Sequence, residues 1–231
     1  MRSTCLGVMM KPWILLEEVC TSTGARMTLH LHDRDYAIRV NGRELMSSRH
    51  HFSEEQLAVA ACAPIRARHS ARVLIGGLGL GFTLRSALAN LGSDASVVVA
   101  ELMPEVVSWN ENPRYALAGK ELADPRTEVV LGDVADVIAQ NPAGFDAIML
   151  DADNETTAMN TAGNSSLYEI DGLVRVHAAL RSQGVVVYWS AGAEPPFAKL
   201  MTKCGFSVEV QRARVSPTSK GTHVLFIGRK K

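Results

Sequence analysis

Arg72-Val73-Leu74-Ile75-Gly76-Gly77-Leu78-Gly79-Leu80-Gly81-Phe82-Thr83 is the stretch that decides the fold. An apolar run breaks into alternating glycines and resumes as Leu84-Arg85-Ser86-Ala87-Leu88-Ala89. This is the pattern of a buried strand, a tight loop and a helix start. Without a Cβ, the loop can turn sharply and let a ligand touch its backbone. A second apolar strand, Ser96-Val97-Val98-Val99-Ala100, ends in Glu101, which lies 20 positions past Gly81. At that spacing a nucleotide-binding βαβ unit presents a carboxylate to ribose hydroxyls. The pattern implies a ligand that contains adenosine.

Downstream of Arg72, apolar strand patterns and helical stretches alternate. Strands are expected at Val73–Ile75, Val97–Ala100, Glu128–Leu131, Ala147–Leu150 and Val185–Tyr188, and helices at Phe82–Leu91, Pro104–Asn110, Val134–Gln140 and Glu169–Leu180. Such alternation builds a parallel sheet with helices on both faces. A helix at Phe197–Cys204 precedes two short alternating runs, Ser207–Val215 and Thr222–Gly228, which read as an antiparallel hairpin closing the sheet. The fold class is α/β, a Rossmann sheet of the methyltransferase type. Upstream, Trp13–Leu16, Met27–Leu31 and Tyr36–Val40 read as strands, and Asn41-Gly42 is a hairpin signal. Residues 1–52 are expected to form a small antiparallel β unit and residues 53–231 the main domain. Ser53-Glu54-Glu55-Gln56 reads as a capping box opening a helix through Ala61, stopped by Pro64.

Composition narrows the function classes. Of 231 residues, 47% are apolar, enough for a core, and the formal net charge is zero. That balance argues against nucleic acid and against a charged membrane surface as partners. No apolar run is long enough to span a bilayer, and Lys11-Pro12 interrupts the segment where a signal peptide needs its apolar stretch. The expected compartment is the cytoplasm. Cys5, Cys20, Cys62 and Cys204 form no C-x-x-C pair and read as reduced thiols. His50-His51 lacks a third ligand at metal-binding spacing, so no metal is expected.

Ligands of open parallel sheets sit outside the carboxyl ends of the strands. Those ends read Gly76–Gly81, Glu101, Gly132-Asp133, Asp151-Ala152-Asp153-Asn154 and Trp189-Ser190. Three consecutive strands end in acids. A buried carboxylate costs several kcal/mol unless it is paired, and a ligand rich in hydroxyls and amines supplies partners.

Val73–Arg85, Ala100-Glu101, Gly132-Asp133-Val134 and Phe145-Asp146-Ala147-Ile148-Met149-Leu150-Asp151 resemble the spermidine synthase-like, or aminopropyltransferase, family. The resemblance runs from about Tyr36 to the end. It implies an N-terminal β-hairpin unit before a methyltransferase-like domain, a small-molecule substrate and a homodimer. It also implies that Glu101 holds the ribose and Asp133 the adenine amino group. The loop Gly76, Gly77, Leu78, Gly79 and Gly81 would hold the amino-acid end of S-adenosylmethionine or its decarboxylated form. Leu102, Gly132, Val134 and Trp189 would complete that site. Asp151 would border it and accept from the attacking amine, with Asp153, Asn154 and Tyr168 as further catalytic candidates. The departures fall on the polyamine half. The family's loop aspartate is replaced by Gly79 or Leu80, its glutamine and tyrosine near the first helix by Leu45 or Met46 and Glu54, and its D-S-x-D-P by Asp151-Ala152-Asp153-Asn154-Glu155.

The expected chemistry is alkyl transfer from S-adenosylmethionine, or its decarboxylated form, to an amine. Methylthioadenosine is released. With the polyamine features altered, the α-amine of S-adenosylmethionine could instead close on its own γ-carbon to give azetidine-2-carboxylate. Asn154, Tyr168, Trp189 and Ser190 are the candidates for lining that pocket. Methyl transfer to a small molecule and non-catalytic nucleoside binding are the remaining readings, since fold does not fix function. The polar loop Asn160–Ser166 after the fourth strand is a candidate lid.

Overall fold

The computed structural model describes residues 11–21, 23–151, 166–192, 195–216, 218–219 and 221–231. The chain divides into two compact units, residues 1–49 and 50–231. The first unit is a four-stranded antiparallel meander, β1 (Ile14–Cys20), β2 (Arg26–His32), β3 (Asp35–Val40) and β4 (Arg43–Ser47), paired in chain order. Asn41 and Gly42 between β3 and β4 both have positive φ, 50° and 79°, the backbone a two-residue hairpin turn requires. Met27 pairs with Val40 and Leu29 with Ile38 across β2 and β3, and all four are buried.

The second unit opens with α1 (Phe52–Cys62) and continues as β5 (Arg72–Gly76), α2 (Phe82–Asn90), β6 (Ser96–Glu101), α3 (Pro104–Glu111), α4 (Gly119–Leu122), β7 (Thr127–Leu131), α5 (Val134–Gln140) and β8 (Phe145–Leu150). It ends with α6 (Ile170–Ala179), β9 (Leu180–Ser190), α7 (Pro195–Lys203), β10 (Phe206–Arg214) and β11 (Thr222–Lys230). The seven strands lie in the order β10-β11-β9-β8-β5-β6-β7. Pairing is parallel from β7 through β9 and antiparallel for β9–β11 and β10–β11. The expected parallel sheet with an antiparallel C-terminal hairpin is therefore present, and the last strand lies inside it, between β9 and β10.

Alternation along each strand sorts the core into two layers. Leu74, Val98, Ile148, Leu150, Val186, Tyr188 and Phe226 pack with Ile138 of α5, Leu173 and Val176 of α6, and Phe197 and Met201 of α7. On the other face Val73, Ile75, Val97, Val99, Met149 and Val187 are buried, as are Leu57, Ala58 and Ala61 of α1 and Leu84, Ala87 and Leu88 of α2. α1 packs on α2 and on β8, β9, β10 and β11. Each large side chain so buried stabilises the fold by roughly 1.5–3 kcal/mol.

Two local readings change. α1 starts one residue before Ser53, and its N-cap His51 makes no side-chain cap hydrogen bond. Ser53 is fully buried and bonds His223 of β11, so tertiary packing takes the hydroxyl that a capping box would use. The one-turn helix α4 is additional; a four-residue element carries no apolar period to read.

At the sheet end away from the glycine loop, Asp146 is buried. It accepts from Arg68 Nη1 at 2.6 Å, Arg181 Nη1 at 2.7 Å and the Arg72 backbone N–H at 2.8 Å. One carboxylate thus ties the segment before β5 to the starts of β8 and β9.

Candidate functional site

The strand order converts scattered segments of sequence into a row. Between β7 and β9 the carboxyl ends carry, in spatial order, Asp133, Glu101, the Gly76–Gly81 loop, Asp151 and Trp189-Ser190. Neighbouring strands lie about 4.8 Å apart, so the row spans roughly 19 Å. The sheet reverses its order at β5, with β6 on one side and β8 on the other. A crevice at such a switch point is where open α/β sheets bind ligands.

Glu101 ties the row together. The residue is 6% exposed. Oε2 accepts from the Leu78 N–H and Oε1 from the Met103 N–H, both at 2.8 Å. Its backbone carbonyl accepts from the Gly132 N–H at 2.9 Å. One residue therefore joins the loops that follow β5, β6 and β7. Burial raises the Glu101 pKa, while the backbone N–H groups of Met103, Leu78, Gly79 and Leu102 oppose that rise. Hydroxyl donors from a ligand would stabilise the ionised form further.

The glycine loop gives its backbone to the site and its side chains to the core. Leu78 and Leu80 are 5% and 3% exposed, whereas Gly77 is exposed. Leu78, expected among the ligand contacts, thus commits its N–H to Glu101 and its side chain to packing. Gly76 lies under the loop, where a Cβ would come within 2.9 Å of Leu150 Cδ2 and 3.0 Å of Val134 Cγ2. Val134 itself is buried, so it holds the loop floor. Gly81 has φ 80° and a Cβ there would collide with Ala118 Cβ. This close approach seats the start of α2, whose N-terminus has no side-chain cap.

Asp133 accepts from the Ala135 N–H at 2.8 Å and so caps α5. Beside it, the Cβ position of Gly132 faces open space. Leu102 is 37% exposed next to the buried Glu101, an apolar surface on that side of the row. Asp151 follows β8 and is partly buried. Leu150 pairs with Tyr188, so Asp151 and Trp189 occupy the next register position together, on the α1 face. Trp189 is 9% exposed and its ring meets His223 edge-on, with centroids 4.4 Å apart. Ser190 accepts from the Gly192 N–H and donates to its carbonyl.

Tyr168 lies on the other face. Its ring packs with Tyr188 and Phe197, at 5.3 and 5.5 Å between centroids, so it belongs to an aromatic core cluster rather than to the Asp151–Trp189 side. Asp153, Asn154 and residues 160–165 of the expected lid lie outside the described residues.

His51 stacks on Phe82 at 4.1 Å and pairs with Glu55 at 3.3 Å, which brings the start of α1 beside the start of α2. Among the described residues no group of three or more His, Cys, Asp or Glu is arranged to hold a metal. Burial pushes the Cys62 thiol up to about 12, which leaves it unreactive. Among the described residues no helix is long and apolar enough to cross a membrane.

His223 escaped the strand-end reading. β11 runs antiparallel to β9, with Val224 opposite Ser190. The start of the last strand therefore lies at the same end of the sheet as the glycine loop. The signal was the antiparallel hairpin itself, which reverses the rule about carboxyl ends.

The sequence matches no protein-family model and no curated protein. Solved structures do match. A spermidine synthase from Thermotoga maritima aligns with a TM-score of 0.74 at 18% identity, over 94% of this chain and 73% of that one. A spermidine synthase in complex with the transition-state analogue AdoDATO aligns at 0.75 and 17% identity, over 94% and 74%. A probable spermidine synthase from Corynebacterium glutamicum aligns at 0.61 and 16% identity, over 95% and 80%. The chain has the fold of the spermidine synthases, a β unit followed by a methyltransferase-like Rossmann domain.

Proposed function

We propose that this chain binds S-adenosylmethionine or its decarboxylated form and transfers the longer sulfonium substituent to an amine, releasing methylthioadenosine. The observation that carries the reading is the buried Glu101 carboxylate, braced by the loops after β5 and β6, with Asp151 two strands away in the same row. Two strand spacings are about 10 Å. A carboxylate that holds the ribose and one that meets the nucleophile are thereby kept apart.

In this reading Glu101 accepts from the ribose hydroxyls, Leu102 covers one side of the base and Asp133 meets its amino group. The exposed backbone of the glycine loop takes the donor's tail. The uncapped N-terminus of α2 suits a carboxylate there, whereas the spermidine synthase neighbours favour the decarboxylated donor. Asp151 accepts a hydrogen bond from the amine and aims its lone pair at carbon. The C–N bond forms as the C–S bond breaks, and the electron pair neutralises sulfur. Since positive charge leaves sulfur in the transition state, an acid beside sulfur would favour the ground state and slow the step. Placing Asp151 at the amine avoids that cost.

The test is product analysis by mass spectrometry. One reaction holds the protein and S-adenosylmethionine alone; a second holds decarboxylated donor and putrescine. Methylthioadenosine in either supports the proposal. From the first it appears with azetidine-2-carboxylate if the donor closes on itself, and from the second with an aminopropylated amine. S-Adenosylhomocysteine would point to methyl transfer, and unchanged donor in both would contradict the reading.

A further inference from the structure

The sulfonium reaction needs a neutral amine, and an alkyl amine is an ammonium at neutral pH, so it must lose a proton before it attacks. Asp151 can orient the amine, but an ionised carboxylate is a weak base at neutral pH. The α1 face of the sheet holds a second group suited to that task. His223 Nδ1 lies 3.1 Å from Ser53 Oγ, and Ser53 Oγ donates to Glu54 Oε2 at 2.7 Å. Because the hydroxyl proton is given to the carboxylate, the Ser53 oxygen accepts, and Nδ1 carries the imidazole proton. The lone pair of a neutral imidazole then stands on Nε2. The ring is held edge-on against Trp189, the residue beside Asp151 in the sheet register.

A second observation marks this corner as a ligand position. The Trp189 indole Nε1 is buried and has no hydrogen-bond partner among the described residues. A buried donor left unpaired costs about 1–3 kcal/mol, a cost that an acceptor atom on a bound substrate would remove.

We propose that His223 Nε2 takes the proton from the attacking amine. This rests on the alkyl-transfer reading above. Glu54 and Ser53 are positioning residues that fix the tautomer and stabilise the imidazolium formed. One N–H proton of the ammonium passes to Nε2, from which water later removes it, and the freed lone pair bonds to carbon as the C–S pair moves to sulfur. Trp189 Nε1 donates to an oxygen of the substrate, so an amine with a carboxylate, hydroxyl or carbonyl nearby is preferred. A bare diamine leaves that donor unpaired and should react more slowly.

Among the described residues, the charged and titratable groups that these contacts bring toward the imidazole are His50 before α1, Glu54 beyond Ser53, and Arg212 and Arg214 flanking its strand partner Ala213, with Asp151 after β8 next in register to Trp189. Burial first, then the charge of His50, lowers the His223 pKa, so the ring is neutral and basic at pH 7.

The test has two arms. In the unliganded protein, 15N chemical shifts of His223 should show Nδ1 protonated and Nε2 bare; Ser53→Ala should remove that preference. The opposite tautomer in the unaltered protein would overturn the assignment without any turnover measurement. In the second arm, the rate of methylthioadenosine formation is followed from pH 6 to pH 9. The unaltered enzyme should reach a plateau near neutrality. His223→Gln should be slower by about 100-fold at pH 7, keep its affinity for methylthioadenosine, and climb with pH as solvent takes the proton instead. A variant with the same rate and the same plateau overturns the role of His223 alone. An unaltered enzyme that forms no methylthioadenosine overturns the alkyl-transfer reading and this role together.

Discussion

Asp151→Asn is expected to lower the rate of methylthioadenosine formation by about 10²- to 10³-fold while leaving the affinity for methylthioadenosine within about twofold. The amide is nearly isosteric, so the end of β8 keeps its shape. It can still accept on one oxygen, but it presents a donor where the amine needs an acceptor. It also lacks the charge that favours the developing ammonium. The effect belongs to kcat because the carboxylate meets the nucleophile and not the nucleoside. Steady-state kinetics with calorimetric binding separate the two. An unchanged kcat would remove Asp151 from the chemistry. A lost affinity would instead assign it to the loop scaffold, because its carbonyl lies 3.9 Å from where a Cβ on Gly77 would stand.

Asp146→Ala should destabilise the fold by about 3 kcal/mol, at the lower end of what breaking a buried ion pair costs. The carboxylate side chain is 4% exposed, but Arg68 and Arg181 are 32% and 41% exposed, so water partly replaces it for them. The Arg72 N–H is left without its acceptor. For a chain of this size the midpoint of thermal unfolding should fall by roughly 6–12 °C. Calorimetry checks the shift. A change of a degree or less would mean that the arginines re-pair elsewhere and that Asp146 is no clasp. Ligand affinity at a temperature where the variant is folded should be unchanged, because the clasp sits at the far end of the strands.

Much of this architecture was legible because it is written in local periodicity. The apolar runs of β5, β6 and β8 are buried on both faces, and their ends fall within a residue or two of the expected ones. β9 is longer than Val185–Tyr188 and begins at Leu180. Its first turn of sequence, Arg181-Ser182-Gln183, is polar and includes a positive φ at Gln183, so no apolar pattern marked it. Glu101 was legible for a geometric reason, since a fixed spacing after a glycine loop puts it at the next strand end. What stayed hidden depends on distant pairing. Ser53 meets His223 across 170 positions of sequence, and the capping grammar around Ser53 is silent about a strand that arrives later. Asp146 finds Arg68 78 positions earlier and Arg181 35 positions later. Tyr168 packs away from Asp151 and Trp189 for a related reason. Strand-end logic gives depth along the sheet but no face for a residue in a connecting segment, and its ring joined the Tyr188 cluster.

In the proposed reading Glu101 anchors the adenosine half of a sulfonium donor. The measurement that meets it most directly is calorimetric titration of methylthioadenosine into the protein and into Glu101→Gln. Binding on the order of 10 µM is expected for the unaltered chain. A loss of about 100-fold, or about 2.7 kcal/mol, is expected in the variant, whose amide cannot accept from the ribose and hold both loop N–H groups. Equal binding by both proteins, or no binding to either up to about 1 mM, would contradict it.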